Sequence, residues 1–148
     1  FYIPFLTSLF LTLINFSFEK SSNDKSWDIE YDLNNIEHGI IRKQFEEPRI
    51  HFAVNCASIS CPRLRNEAFF GSEIDAQLDD QARYFINNPV KNKITKKCAE
   101  LSKIFTWFKC YFTSNGVSVT DFINKYSEVK ITKKTKTKSL DYDWLLNE

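Results

Sequence analysis

The sequence predicts an α+β domain with a small central sheet, including residues 50–55, covered by several helices. Three observations lead there. Apolar residues recur at helical spacing over 72–87 and 101–112, they alternate at spacing two over 50–54, and the two kinds of segment are intermixed without an internal repeat.

The chain opens on FYIPFLTSLFLTLINFSF, with no charge before Glu19. It lacks the basic leader and the small-residue cleavage site of an export signal, and Pro4 and several hydroxyls weaken a spanning helix. A core helix is expected there, and no stable membrane span. The chain has no methionine and starts in mid-pattern, so a single domain over 1–148 that lacks upstream residues is expected. KSSNDKSWDIEYD reads as a polar connection ending in a short strand or turn around Trp27 to Tyr31.

LNNIEHGIIRKQF sets Leu33, Ile36, Ile40, Ile41 and Phe45 on one helical face, with Asp32 placed to cap its start. Pro48 ends that helix. IHFAV then alternates Ile50, Phe52 and Val54 against His51, Ala53 and Asn55, which predicts a strand that delivers Cys56 to its end. Over 72–87, Ser72 opens a Ser-x-x-Asp sequence resembling a capping box, and Ile74, Leu78, Ala82 and Phe85 form a helical stripe. LSKIFTWFKCYF places Leu101, Ile104, Phe105, Phe108 and Phe112 on one broad helical face. VTDFINKY forms another helix, with Ser118 as its cap. KITKKTKTK alternates β-branched and basic residues, which suits an exposed edge strand protected by lysines better than a binding patch.

Twenty basic side chains against nineteen acidic ones leave a net charge of +1, so no global field recruits nucleic acid, and none is expected as a partner. No cofactor is expected. Other partners, and the compartment, stay open: the four cysteines permit disulfides without requiring them in a domain large enough to have its own core.

Potential chemistry is concentrated in IHFAVNCASISCP, residues 50–62. A thiol nucleophile requires the thiolate, and Cys56 is the better candidate because backbone N–H groups of the following turn can stabilise both a thiolate and an oxyanion. His51 falls on the opposite face of a regular strand. His38, the only other histidine, would come from the preceding helix, with Glu37 or Asp79 to orient it. Ordinary core packing competes, since cysteine is among the most buried residue types, and His51 reads equally as a buried imidazole bonded to a carbonyl. A metal site is disfavoured because His-x4-Cys-x4-Cys lacks the tight Cys-x2-Cys knuckle. A Cys56–Cys61 disulfide would close only a small loop. Cys98 and Cys110 read as packing residues. Arg49, Arg63 and Arg65 bracket the stretch, and each is either a grip for a carboxylate or phosphate or a partner of Glu46, Glu47 and Glu67.

The segments LNNIEHGIIR, EPRIHFAVNCASISCPRLRNEAF, IDAQLDDQARYFIN, LSKIFTWF and YDWLLNE, in this order and spacing, resemble the family called domain of unknown function 547. The resemblance covers residues 30–148, and it implies no established activity; bacterial relatives are often exported. Two departures stand out. Family members typically carry Phe-x-Ile-Asn-x-Tyr-Asn where this chain has FYIPFLT, so Pro4, Leu6 and Thr7 replace Asn, Tyr and Asn; and Tyr111 occupies the acidic position of Trp-x-x-x-Asp-Phe.

The expected site is a pocket floored by Cys56 and Ser58, walled by His38 or His51, and flanked by Arg42 or Arg65, acting as a thiol-dependent hydrolase or acyl transferase. The alternative is a non-catalytic interaction or structural module, a degenerate family member that kept its fold.

Overall fold

The 14-residue helix Ile74–Asn87 organises the domain, and the reason lies in its spacing. Gln77, Leu78, Gln81, Ala82, Phe85 and Ile86 are its buried residues, which is the one-face pattern of a 3.6-residue turn. Against this face pack the segment Pro48–Phe52 and the helix Val119–Tyr126. The structure is a computed structural model that describes residues 35–147. The expected opening helix, the turn at Trp27 to Tyr31, the cap Asp32, Leu33 and the changes at Pro4, Leu6 and Thr7 lie outside the described residues.

In chain order the elements are a π-helical segment Asn35–Ile41 running into a single turn α1 (Arg42–Gln44), a 3-10 helix Pro48–Phe52, and α2 (Ile74–Asn87). Then come strands β1 (Lys93–Ile94) and β2 (Cys98–Leu101), the short helices α3 (Ile104–Trp107) and α4 (Lys109–Phe112), α5 (Val119–Tyr126) and strand β3 (Lys136–Ser139). The sheet has the order β1-β2-β3, with β1 antiparallel and β3 parallel to β2. The α+β class stands.

Membership of residues 50–55 in the sheet does not. Pro48 occupies the first turn of the 3-10 helix, its fixed φ suiting that position, and the Glu47 side chain caps it by accepting the Arg49 N–H at 2.9 Å. Ala53 and Val54 N–H groups both donate to the Ile50 carbonyl, so these backbone bonds close locally rather than across a ladder. Phe52 is nevertheless fully buried, stacked on Phe85 at 4.9 Å and on Phe112 at 5.6 Å between ring centroids.

Two helix expectations need similar correction. Ser72 caps nothing: the first residue before α2 is Glu73, with no side-chain cap bond. The stretch 101–112 is not one helix, because Leu101 ends β2 and the backbone breaks at Phe108 (φ −108°, ψ 26°) between α3 and α4. Its apolar face still holds, with Leu101, Ile104, Phe105 and Phe112 buried. By contrast, α5 begins with the expected cap. The Ser118 hydroxyl accepts the Asp121 N–H at 3.1 Å, and the Asp121 carboxylate accepts the Ser118 N–H at 3.2 Å. Strand β3 is exposed along its length, an edge guarded by Lys136 and Lys138.

Candidate functional site

The loop from Ala53 to Arg63 is held at both ends by one buried side chain. The Gln81 amide on α2 donates to the Phe52 carbonyl at 3.1 Å and to the Arg63 carbonyl at 3.2 Å, and it accepts from Arg63 Nε at 2.9 Å. A buried amide whose donors and acceptor are matched in this way fixes the loop rather than destabilising the core. Within the loop, Asn55 Oδ1 accepts the Ala57 N–H at 2.7 Å and its amide donates to the Pro62 carbonyl at 2.5 Å. Ala57 adopts φ 59°, a left-handed conformation that a non-glycine residue takes only where its surroundings impose it.

Those surroundings are the chain's last residues. The Ile59 N–H donates to the Leu145 carbonyl at 2.8 Å, the Asn147 N–H to the Ala57 carbonyl at 2.8 Å, and the Asp143 N–H to Ser60 Oγ at 2.9 Å. Thus residues 143–147 form an antiparallel clamp along CASIS, with a bridge between Ser58 and Leu146. On the other side, Lys91 Nζ donates to the Ile59 carbonyl.

This clamped turn brings two free thiols together. Cys56 is half-buried and Cys61 buried, with Sγ atoms 2.9 Å apart. The Cys56 N–H donates to Cys61 Sγ at 2.8 Å. Around Cys56 Sγ stand Ser58 Oγ at 3.3 Å and the Tyr142 hydroxyl at 3.4 Å, and Ser58 Oγ donates to Tyr142 at 3.0 Å. A hydrogen bond from the Cys61 thiol holds the Cys56 thiol down at about 5 against the opposing effect of burial, with Ser58 and Tyr142 adding to it. Cys61 moves the other way: it donates that bond, and burial also penalises its charge. Burial lowers the Lys91 pKa, while the sulfurs of Cys61 and Cys56 act to keep it charged.

The expected histidines lie in a second cluster. His51, 7% exposed, is stacked on Phe108 at 3.9 Å with 7° between the planes, and it meets Tyr111 edge-on at 4.6 Å. Its Nε2 is buried, without a hydrogen-bond partner among the described residues. Burial first, and the Arg42 charge second, push its pKa down to about 3, so the ring is neutral. Arg42 lies over the same Phe108 ring at 5.0 Å, its Nη1 is 2.8 Å from His38 Nδ1, and its carbonyl accepts from the Tyr111 hydroxyl at 2.9 Å. Glu37 Oε1 is 4.0 Å from His38 Nε2. Arg42 and His51 therefore meet at Phe108 and Tyr111, with His38 on the far side of the Arg42 guanidinium bond. Among the described residues, the hydrogen-bond partners of Cys56 Sγ are Cys61, Ser58 and Tyr142, and neither imidazole is one of them.

Residues 15–86 match the model of a family described as "Protein of unknown function, DUF547". That stretch of the chain is similar to the DUF547 family. No curated protein and no solved structure matches it. The DUF547 match contains both histidines, both thiols of the loop and α2 as far as Ile86, whereas Lys91, Tyr111 and Tyr142 lie beyond it.

The arginines flanking the loop are engaged with acids. Arg65 pairs with Glu67 and Asp80, each at 2.6 Å; Arg63 reaches Asp80 at 2.6 Å and covers the Tyr84 ring at 3.9 Å. Arg49 binds Glu47, Asp75 and Asp79 at 2.6–2.7 Å. Sequence reasoning missed Lys91, Tyr142 and Gln81. The YDWLLNE motif carried a signal for Tyr142, but nothing local tied it to Cys56. Gln81 lay within IDAQLDDQARYFIN without a local tie to the loop, and Lys91 carried no signal. Among the described residues, no group of three His, Cys, Asp or Glu side chains is placed to hold a metal, and no helix is long and apolar enough to cross a membrane.

Proposed function

We propose that this domain is a thiol-dependent acyl transferase or hydrolase whose nucleophile is Cys56. The observation that carries the reading is the triad of groups on its sulfur, Cys61, Ser58 and Tyr142, which favour the thiolate without an imidazole base. In the proposed step, the Cys56 thiolate attacks an acyl carbon, and the Tyr142 hydroxyl, oriented by the bond it accepts from Ser58 Oγ, donates to the oxyanion that develops beside it. Collapse of that intermediate expels the leaving group and leaves a thioester on Cys56. Water or an acceptor nucleophile then releases the acyl group and restores the thiol. His51, neutral and enclosed by the Phe108 and Tyr111 rings, takes no proton in this scheme.

Reaction with p-nitrophenyl acetate tests the reading. An acetyl adduct on the Cys56 peptide, formed ahead of any on exposed Cys110 and lost in Cys56→Ala, is expected. Acetylation of Cys110 at an equal or greater rate would overturn it.

One observation favours a second reading, a non-catalytic interaction module. Trp107 and Trp144 are both exposed, their rings 5.8 Å apart, and Leu145 and Leu146 follow them, also exposed. On this reading a Cys56→Ala chain captures a protein partner as fully as the unaltered chain; a partner that requires the free thiol contradicts it.

A further inference from the structure

We propose that Cys56 and Cys61 act as a dithiol that exchanges with small disulfides, Cys56 attacking and Cys61 resolving. The inference rests on Cys56 being the nucleophile, as above, and adds a second class of electrophile, a disulfide sulfur.

Geometry carries it. The two Sγ atoms stand 2.9 Å apart, against about 2.05 Å in a disulfide, so bond formation asks for roughly an ångström of closure. The turn between them is already set by the Cys61 N–H bond to the Ser58 carbonyl at 3.0 Å, and the terminal clamp holds it from outside. Exposure is divided as the chemistry needs: Cys56 is half-buried, while Cys61 is buried.

The steps balance. The Cys56 thiolate attacks one sulfur of a disulfide R–S–S–R; the Cys56–SR bond forms, and RS⁻ departs and takes a proton from solvent. That first step removes the negative charge from Cys56, and with it both the hydrogen bond that held the proton on Cys61 and the repulsion that opposed a second anion. The Cys56 N–H, aimed at Cys61 Sγ at 2.8 Å, then stabilises the Cys61 thiolate, and the Lys91 ammonium beside the turn adds to this. Cys61 gives its proton to solvent and attacks the Cys56 sulfur, and the second RS⁻ leaves and is protonated in turn. In sum, two protein thiols are oxidised to one disulfide, and R–S–S–R is reduced to two R–SH. Oxidation also takes the acyl-transfer nucleophile out of action.

The test uses the full chain, equilibrated with mixtures of reduced and oxidised glutathione, quenched with iodoacetamide and mapped by mass spectrometry. The expected result is loss of alkylation at Cys56 and Cys61 together, with a Cys56–Cys61 cross-link, while Cys98 and Cys110 stay alkylated. In Cys61→Ala the reaction stops at a stable glutathione adduct on Cys56. Accumulation of that same adduct on the unaltered chain, with Cys61 still alkylated, would overturn the resolving role and leave Cys56 as nucleophile intact. Absence of any adduct or cross-link at Cys56 would sink both. The unaltered chain alone decides, whether or not the Cys61→Ala chain folds.

Discussion

The Tyr142 hydroxyl lies 3.4 Å from Cys56 Sγ, joining residues 86 positions apart in sequence. It reaches there because the terminal stretch pairs with the CASIS turn, and it is oriented by the hydrogen bond from Ser58 Oγ at 3.0 Å. The contact makes the thiol's acidity depend on a residue outside the matched family segment.

Tyr142→Phe keeps the ring and its packing against Trp107 and Trp144, at 4.8 and 4.4 Å, and removes only the donor. A hydrogen bond to a charged acceptor is worth about 1.5–3 kcal/mol, and one pKa unit is about 1.4 kcal/mol, so the Cys56 midpoint should rise by about one unit or more. Alkylation rate against pH measures it. An unchanged midpoint would show that Tyr142 does not act on the sulfur.

His51 predicts a pH dependence of stability. Its folded pKa of about 3 lies below the unfolded value of about 6.5, so between those values the unfolded chain binds the extra proton. Stability from this group is complete above about pH 6.5 and falls as pH drops toward 3, by on the order of a few kcal/mol. His51→Phe, which fills the same aromatic stack and removes the unpartnered Nε2, should flatten that dependence. Urea unfolding of both chains at pH 7.5 and 5 checks it; an equal loss in each would assign the effect elsewhere.

Arg49, whose side chain is 11% exposed, ties Glu47 to Asp75 and Asp79 across the face of α2. Asp79 also accepts from the Tyr126 hydroxyl at 2.8 Å, so the network joins the 3-10 helix, α2 and α5. Arg49→Leu leaves those carboxylates without their cation. Removing one partner of a fully buried pair costs about 3–5 kcal/mol; with Asp75 mostly exposed, roughly 2–3 kcal/mol is expected in urea unfolding. A loss below the measurement error would make the network a surface ornament.

The α+β class, α2, the Ser118 cap and the lysine-guarded edge were legible because each rests on a local pattern: a stripe, a capping box, an alternation. The strand over 50–54 misled because Ile50, Phe52 and Val54 alternate as a strand would. Pro48 and the Glu47 cap instead closed a 3-10 turn, while tertiary packing buried Phe52. The helix over 101–112 was misread for a related reason: its apolar face is continuous, but its first residue is claimed by β2 and Phe108 interrupts the winding. In the site, Cys56 and Ser58 were legible from composition, since the turn that joins them is local. Cys61 was legible as a loop-closing partner but not as a proton donor. Tyr142 and Lys91 were not legible, because long-range closure brings them in and no spacing rule encodes it.

The proposed chemistry requires Cys56 to be a thiolate at neutral pH. The most direct measurement is the iodoacetamide rate at each cysteine across pH 4–10, resolved by peptide mass spectrometry. A Cys56 midpoint near 5, well below the ordinary thiol range near 8.5, with its rate already level at pH 7 and faster than that of Cys110, is expected. A Cys56 midpoint in that ordinary range, with a rate no faster than that of Cys110, would contradict it.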